Sequence, residues 1–424
     1  MKCLSVYLEI QGEQKHVGDI TGTSYLDASF CYSEDYLDAS YATPISVSLP
    51  LSESPFSPER TKCFFEGLLP EGFSRKAVSN WIKTDEADYI TILSVLGREC
   101  LGAIKIVEDD HDTGEDGYEL LSMARVKELA GEGATKATQI LMETHLSLAG
   151  ATGKVGLFYD EEKGNWYLPK GNASSTHIVK QSHVRLSQIV LNEQLCMLTA
   201  KGIGIDVPES FIINTGKGAD DEILFAIRRF DRTNGSGRFY NNLQIPLRLH
   251  QEDMAQAMGI PASEKYEREP ASYLRRMFDV IRENAVDPIN EQRRLWKRIC
   301  FQFLIGNTDC HIKNLSLLYS EDLKRITLSP AYDIVCTKLY NLTNQMSFFL
   351  GGEIDMDKMN RSTFGKASEE VGLTERMALS IFDEVADHFE KALDGAASEL
   401  CESGFSEAVA MKDKILTCGG YGKI

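Results

Sequence analysis

Residues 304–319 read LIGNTDCHIKNLSLLY, and within six of them stand Asp309, His311, Lys313 and Asn314. An apolar run precedes these polar groups and a strand-like apolar run follows. Two short strands, LSLLY and RITL, then lead to AYDIV and a second acid, Asp333. An acid, an amide five residues on and a second acid after a hairpin form a donor set suited to phosphoryl transfer from a nucleotide. Asp309 would orient an acceptor hydroxyl and take its proton. Asn314 and Asp333 would offer hard oxygens to a Mg²⁺ ion bridging the phosphates. Singly, each residue also has a structural reading, as a loop cap or a gap-filling histidine. Their order and spacing together favour chemistry.

Such chemistry needs supports upstream, and the chain supplies candidates in the required order. A hairpin around LAGATGK is followed by the strand STHIVK ending on Lys180, a helix carrying Glu193, and a hinge in FAIRRFDR. The hairpin lacks the Gly-x4-Gly-Lys-Ser/Thr of a Walker loop and the GxGxxG of most kinases, so its weight comes from its place in the series. Lys180 could instead be a surface lysine and Glu193 a solvated helix residue. Metal-dependent hydrolysis lacks an HExxH pair, and serine nucleophile chemistry lacks a GxSxG elbow.

Three units would position these residues. Residues 1–125 begin with short strands and continue with helices near 60–69, 72–82 and 86–97. Within them, FFEGLLPEGFSRKAV reads as a helix-loop-helix packing this unit on the rest, and 111–120 as an acidic, Gly-containing linker. Residues 126–235 alternate strands with one strong helix, RLSQIVLNEQLCMLTAKGI. Residues 236–424 read as mainly helical apart from the hairpin after the polar loop. The class is therefore α+β.

With 424 residues, 43% of them apolar and a net charge of −18, the chain can build large cores but is ill suited to gripping nucleic acid over its whole surface. The basic cluster Arg293, Arg294, Lys297 and Arg298 reads as one solvated helix face. Ten scattered cysteines without a CxxC pair fit reduced thiols in a cytosolic protein. The opening MKCLSVYLEI alternates like a strand, and no run reaches the ~18 apolar residues of a membrane helix.

The segments LSLAGATGK, STHIVK, NEQLCMLTAKGI, RRFDR, LHQEDMAQAMGI, GNTDCHIKN and AYDIV, with VSLPL and FFEGLLPEG earlier, resemble the HipA family of bacterial serine/threonine kinase toxins. The resemblance spans almost the whole chain in order. It implies a two-lobed kinase-like fold that uses ATP and Mg²⁺. Asp309 would be the catalytic base, and Asn314 and Asp333 the metal ligands. Ala149, Gly150, Ala151, Thr152, Gly153 and Lys154 would lie on the phosphates, and Lys180 would contact ATP. Arg228, Arg229 and Phe230 would form the hinge at adenine, with His311, Lys313 and Tyr332 lining the same site. Ser147 matches the family's autophosphorylated serine. Arg228 stands where the family commonly has an acid, and Gly153 where a larger polar residue is usual. The resemblance further implies a small helix-turn-helix antitoxin (HipB-like), operator DNA held through that partner, and a protein substrate in translation such as glutamyl-tRNA synthetase. Two other functions fit the same residues: a weakly active co-repressor acting with the antitoxin, and a small-molecule phosphotransferase.

Overall fold

The structure is a computed structural model that describes residues 2–108, 116–126, 154–182 and 186–424. The first unit is an antiparallel sheet of order β3-β2-β1-β4, formed by β1 (Lys2–Ile10), β2 (Glu13–Gly22), β3 (Ser29–Tyr32) and β4 (Ile104–Val107). Gln11 and Gly12 join β1 to β2 with φ of 51° and 84°. Two consecutive positive φ values make the tight primed turn that matches strand twist. Helices Pro58–Phe65, Gly72–Trp81 and Tyr89–Leu96 follow β3. Ser57 caps the first from its side chain with Pro58 behind it, and Asp88 caps the third through Thr91 N. Phe30, Phe64, Phe65 and Leu93 are buried where the helices meet the sheet.

This unit does not close a core of its own. Its apolar residues belong to one cluster that continues into Met254, Trp296, Phe364 and Ile415 of the helical region. Polar ties reinforce the junction: Gln256 Nε2 donates to Phe64 O at 2.9 Å, and Val47 N donates to Glu252 Oε1 at 2.9 Å. The packing role expected of the helix-loop-helix is therefore visible in these contacts.

The second sheet is antiparallel throughout, with order β5-β7-β6-β8-β10-β9. It contains β5 (Gly117–Leu120), β6 (Lys154–Asp160), β7 (Asn165–Lys170), β8 (His177–Gln181), β9 (Ser210–Asn214) and β10 (Ile223–Arg228). Strand β5 corrects two expectations. Residues 117–120 are a strand rather than linker, and they pair with β7 although they precede the boundary drawn at 125. Tyr118 supplies the reason: its ring is buried against Phe158 and its hydroxyl donates to Ser174 O at 2.9 Å. The expected phosphate hairpin, from Ser147 to Gly153, lies outside the described residues.

Helix Ile189–Gly202 lies against β9 and β10 on one side and the long helix Glu375–Glu402 on the other. It is buried nearly all round, which places Asn192 and Glu193 in the interior. The remaining lobe is built around helix Pro288–Ile305, with Tyr273–Asn284, Arg361–Val371 and Glu407–Cys418 around it. A three-stranded sheet, Gln251–Asp253, Ser316–Tyr319 and Ile326–Leu328, sits beside it, and Gln345–Leu350 pairs with Glu353–Asp355 where helix was expected. Among the described residues no helix is long and apolar enough to cross a membrane.

Candidate active site

Helix Pro288–Ile305 stops at Gly306, whose φ of +80° and bonds to Gln302 O and Phe303 O make a left-handed C-terminal cap. A side chain there would also meet Gly419 Cα at 3.1 Å and Cys336 Sγ at 3.2 Å. The loop that follows is fastened by several hydrogen bonds. Asn307 spans Gln302 Oε1 at 2.8 Å and Asp309 N at 2.9 Å. Thr308 N donates to Thr337 Oγ1 at 2.7 Å, and Ser347 Oγ donates to Thr308 O at 2.8 Å. Asn314 Nδ2 donates to Asp309 O at 2.9 Å, closing the turn. With Nδ2 so engaged, Oδ1 is the amide atom left to ligate a cation.

This loop forms the floor of a cleft of about 1190 Å³ between the six-stranded sheet and the helical lobe. The Asp309 carboxylate opens into it. Desolvation by the cleft walls raises its pKa above the ordinary carboxylate value; a Tyr266 hydrogen bond opposes the rise and the Asp333 charge adds to it. A raised pKa makes a carboxylate a stronger proton acceptor.

The hairpin after the loop returns the chain to Asp333, which adopts a left-handed φ of 57°. Strand β8 brings Lys180 to meet it from the opposite wall. Lys180 Nζ lies 2.7 Å from Glu193 Oε1 and 2.5 Å from Asp333 Oδ1. Burial opposes the charge on Lys180, but the two carboxylates outweigh burial and lift its pKa above that of an ordinary lysine. Burial likewise opposes ionisation of Asp333, yet Lys180 and Lys154 hold it well below the usual carboxylate range. Glu193 goes the other way: burial pushes it up to about 7, against the pull of Lys180. Lys180 thus bridges the two carboxylates. Lys154 stands opposite Lys180 in the β6–β8 register, and burial brings its pKa down to about 8.

Tyr332 stacks on Phe230 with centroids 5.4 Å apart, and its hydroxyl donates to Lys313 O at 3.0 Å. Burial brings His311 down to about 3, so its ring is neutral. Lys313 Nζ is buried between Asp253 Oδ2 at 2.8 Å, Gly67 O at 3.0 Å and Glu71 Oε1 at 3.5 Å.

At the hinge the two arginines differ. Arg228 pairs at the surface with Glu161 at 2.7 Å. Arg229 buries its guanidinium in a charge cluster, 2.7 Å from Asp231 and 3.2 Å from Glu99. Its side chain is therefore committed to structure and its N–H to Thr176 O, so what it can offer a nucleotide is its carbonyl. Sequence reasoning also passed over Tyr266, Lys265 and Glu71, which line the cleft. Tyr266 and Lys265 sit in the aperiodic polar stretch SEKYEREP, and Glu71 at a helix entrance, so nothing in their local pattern marked them.

These residues suit a nucleotide arriving with its own cation. Among the described residues, no group of three or more His, Cys, Asp or Glu side chains could hold a metal by itself. Mg²⁺ is ordinarily held by one or two protein oxygens, with phosphates and water completing its shell, and Asp333 and Asn314 Oδ1 match that demand. Both amide atoms of Gln181 and Nδ1 of His311 are buried in the cleft walls with no partner among the described residues.

Comparison with known proteins bears on the family and the fold. Residues 146–393 match the model of the HipA-like C-terminal domain, and residues 8–107 match that of the HipA N-terminal domain. A Sinorhizobium fredii relative, Y4mE, is 27% identical over 96% of this chain and 98% of its own length. The serine/threonine-protein kinase toxin HipA of Shewanella oneidensis is 25% identical over 90% of this chain and 88% of that protein. In fold, the chain is similar to Shewanella oneidensis HipA in a structure with HipB and operator DNA. The TM-score is 0.78 at 22% identity, covering 98% of this chain and 96% of that one.

Proposed function

This chain belongs to the HipA family, with its kinase-like α+β fold, and from that premise we propose that it is an ATP- and Mg²⁺-dependent serine/threonine protein kinase. The observation that carries the proposal is the Lys180 ammonium held between Glu193 and Asp333 above the Asp309 loop. Lys180 would turn from Asp333 to the nucleotide phosphates while Glu193 keeps its orientation. Lys154, beside it, would add positive charge along the same phosphates. Asp333 and Asn314 Oδ1 would hold Mg²⁺, which neutralises phosphate charge when bound. Phe230 and Tyr332 offer an aromatic wall for the base. Asp309 would then accept the proton of a serine or threonine hydroxyl as that oxygen takes the γ-phosphoryl group and ADP leaves.

The reading extends to a toxin held by a small helix-turn-helix antitoxin that carries it to operator DNA, supported by the assembly seen for Shewanella oneidensis HipA. It also extends to autophosphorylation on Ser147 and to a substrate in translation, with an aminoacyl-tRNA synthetase such as glutamyl-tRNA synthetase as the first candidate. The test is phosphoproteomics after controlled expression of wild type and Asp309→Asn. New phosphoserine or phosphothreonine sites with wild type alone are expected. Identical site lists from the two would overturn the proposal.

A further inference from the structure

Among the described residues, Asp309 receives one hydrogen bond from outside its own loop. Tyr266, in the segment before helix Tyr273–Asn284, donates its hydroxyl to Asp309 Oδ1 at 2.5 Å. The ring is fixed on two sides. His311 packs against it edge-on at 5.2 Å and 83°, and the Lys265 ammonium lies 5.4 Å from the ring centroid. Lys265 Nζ bonds in turn to Glu71 Oε2 at 2.6 Å, just before helix Gly72–Trp81 of the first unit. A path of direct contacts therefore runs from Glu71 through Lys265 and Tyr266 to Asp309.

A carboxylate presents two oxygens, and a rotating one presents them in no fixed direction. A base in a working site is commonly aimed by a third group. Resting on Asp309 as the base, we infer that Tyr266 is a positioning residue that holds Oδ1 and leaves Oδ2 to face the acceptor hydroxyl, with Lys265 and Glu71 setting its ring. Burial and the Asp309 charge push the Tyr266 hydroxyl well above the usual phenol range, so it remains a donor. Tyr266 is also 39% exposed, which leaves room beside it for an acceptor chain. The first unit thereby contributes to catalysis as well as to packing.

The experiment is steady-state phosphate transfer by the full-length protein, with Mg·ATP and dephosphorylated casein as a generic serine acceptor. Tyr266→Phe keeps the ring and removes the hydroxyl. It should lower kcat about 10-fold, the worth of one hydrogen bond to a charged group, with the KM for ATP unchanged. Lys265→Met should lower kcat in the same direction and cost nothing further in the Tyr266→Phe background, because it acts through the hydroxyl that Phe lacks. A Tyr266→Phe enzyme with wild-type kcat beside an inactive Asp309→Asn enzyme would overturn the inference and spare the base. So would a rise in kcat, which would mean that the hydroxyl competes with the acceptor, or full additivity of the two substitutions. Transfer by Asp309→Asn at the wild-type rate would remove the base, and the positioning role with it.

Discussion

Replacing Asp231 by Asn should destabilise the protein severely, because the residue balances a buried charge cluster that joins the first unit to the hinge. Arg229 and Arg232 supply two positive charges, Glu99 and Asp231 two negative ones, and all four side chains are at most 2% exposed. Asp231 accepts from Arg229 Nε at 2.9 Å, Arg229 Nη2 at 2.7 Å, Gly102 N at 2.7 Å and Gln251 Nε2 at 3.1 Å. It also lies 3.0 Å from Arg232 Nη1. Asn offers one acceptor oxygen, turns an N–H pair toward the guanidinium groups and leaves the cluster one positive charge in excess. Breaking a buried pair in this way costs about 3–5 kcal/mol. With a urea slope of about 3 kcal/mol per M, the midpoint should fall by roughly 1 to 1.7 M. Fluorescence can follow the three tryptophans, Trp81 in the first unit, Trp166 on β7 and Trp296 in the helical lobe. Burial opposes ionisation of Asp231, but Arg229 and Arg232 outweigh it and hold the pKa well below the ordinary carboxylate value. Its contribution is therefore present above that ordinary value, about 3.9, and is lost as pH falls toward the depressed one. The acid limb of stability should be shallower in the variant. The internal standard is Asp383→Asn, which breaks the exposed pair with Arg361 and should cost under about 1 kcal/mol. A midpoint shift for Asp231→Asn no larger than this standard would refute the reasoning.

Three further outcomes follow from the same geometry. Lys154, with a folded pKa of about 8, is depressed below its free value, and nucleotide phosphates should restore its proton. Calorimetry above pH 8 in buffers of differing ionisation enthalpy should show proton uptake on ATP binding, with affinity declining as pH rises; pH-independent binding would count against it. Glu193→Gln leaves Lys180 to Asp333, so turnover should fall about 10-fold or more with the fold intact by circular dichroism, given the role of this ion pair in kinases. Gly306→Ala introduces a side chain at φ +80° against Gly419 Cα and Cys336 Sγ, and should lower stability by about 1–3 kcal/mol in denaturant titration.

Local pattern revealed the elements that periodicity and capping determine. The helix carrying Glu193, the stop at Gly306 and the hairpin leading to Asp333 all stand where alternation, apolar spacing and a glycine cap place them. Lys180 and Glu193, which follow in that order along the chain, meet at 2.7 Å. Long-range partners were not legible. Arg229 faces inward because Glu99, 130 residues earlier, waits there, and no local signal announces such a partner. Tyr266 reaches Asp309 across 43 residues from a stretch without periodicity. Strand β5 was hidden because its Gly and Asp neighbours imitate a linker, while the burial of Tyr118 depends on strands that come later in the chain.

The central claim, that this cleft transfers phosphate from ATP to a protein hydroxyl with Asp309 as base, is tested most directly by incubating purified protein with γ-labelled ATP and Mg²⁺. Wild type should label itself or an added serine acceptor, and Asp309→Asn should lose about 10²-fold or more of that rate while still binding nucleotide. Equal labelling by the two proteins would contradict the account.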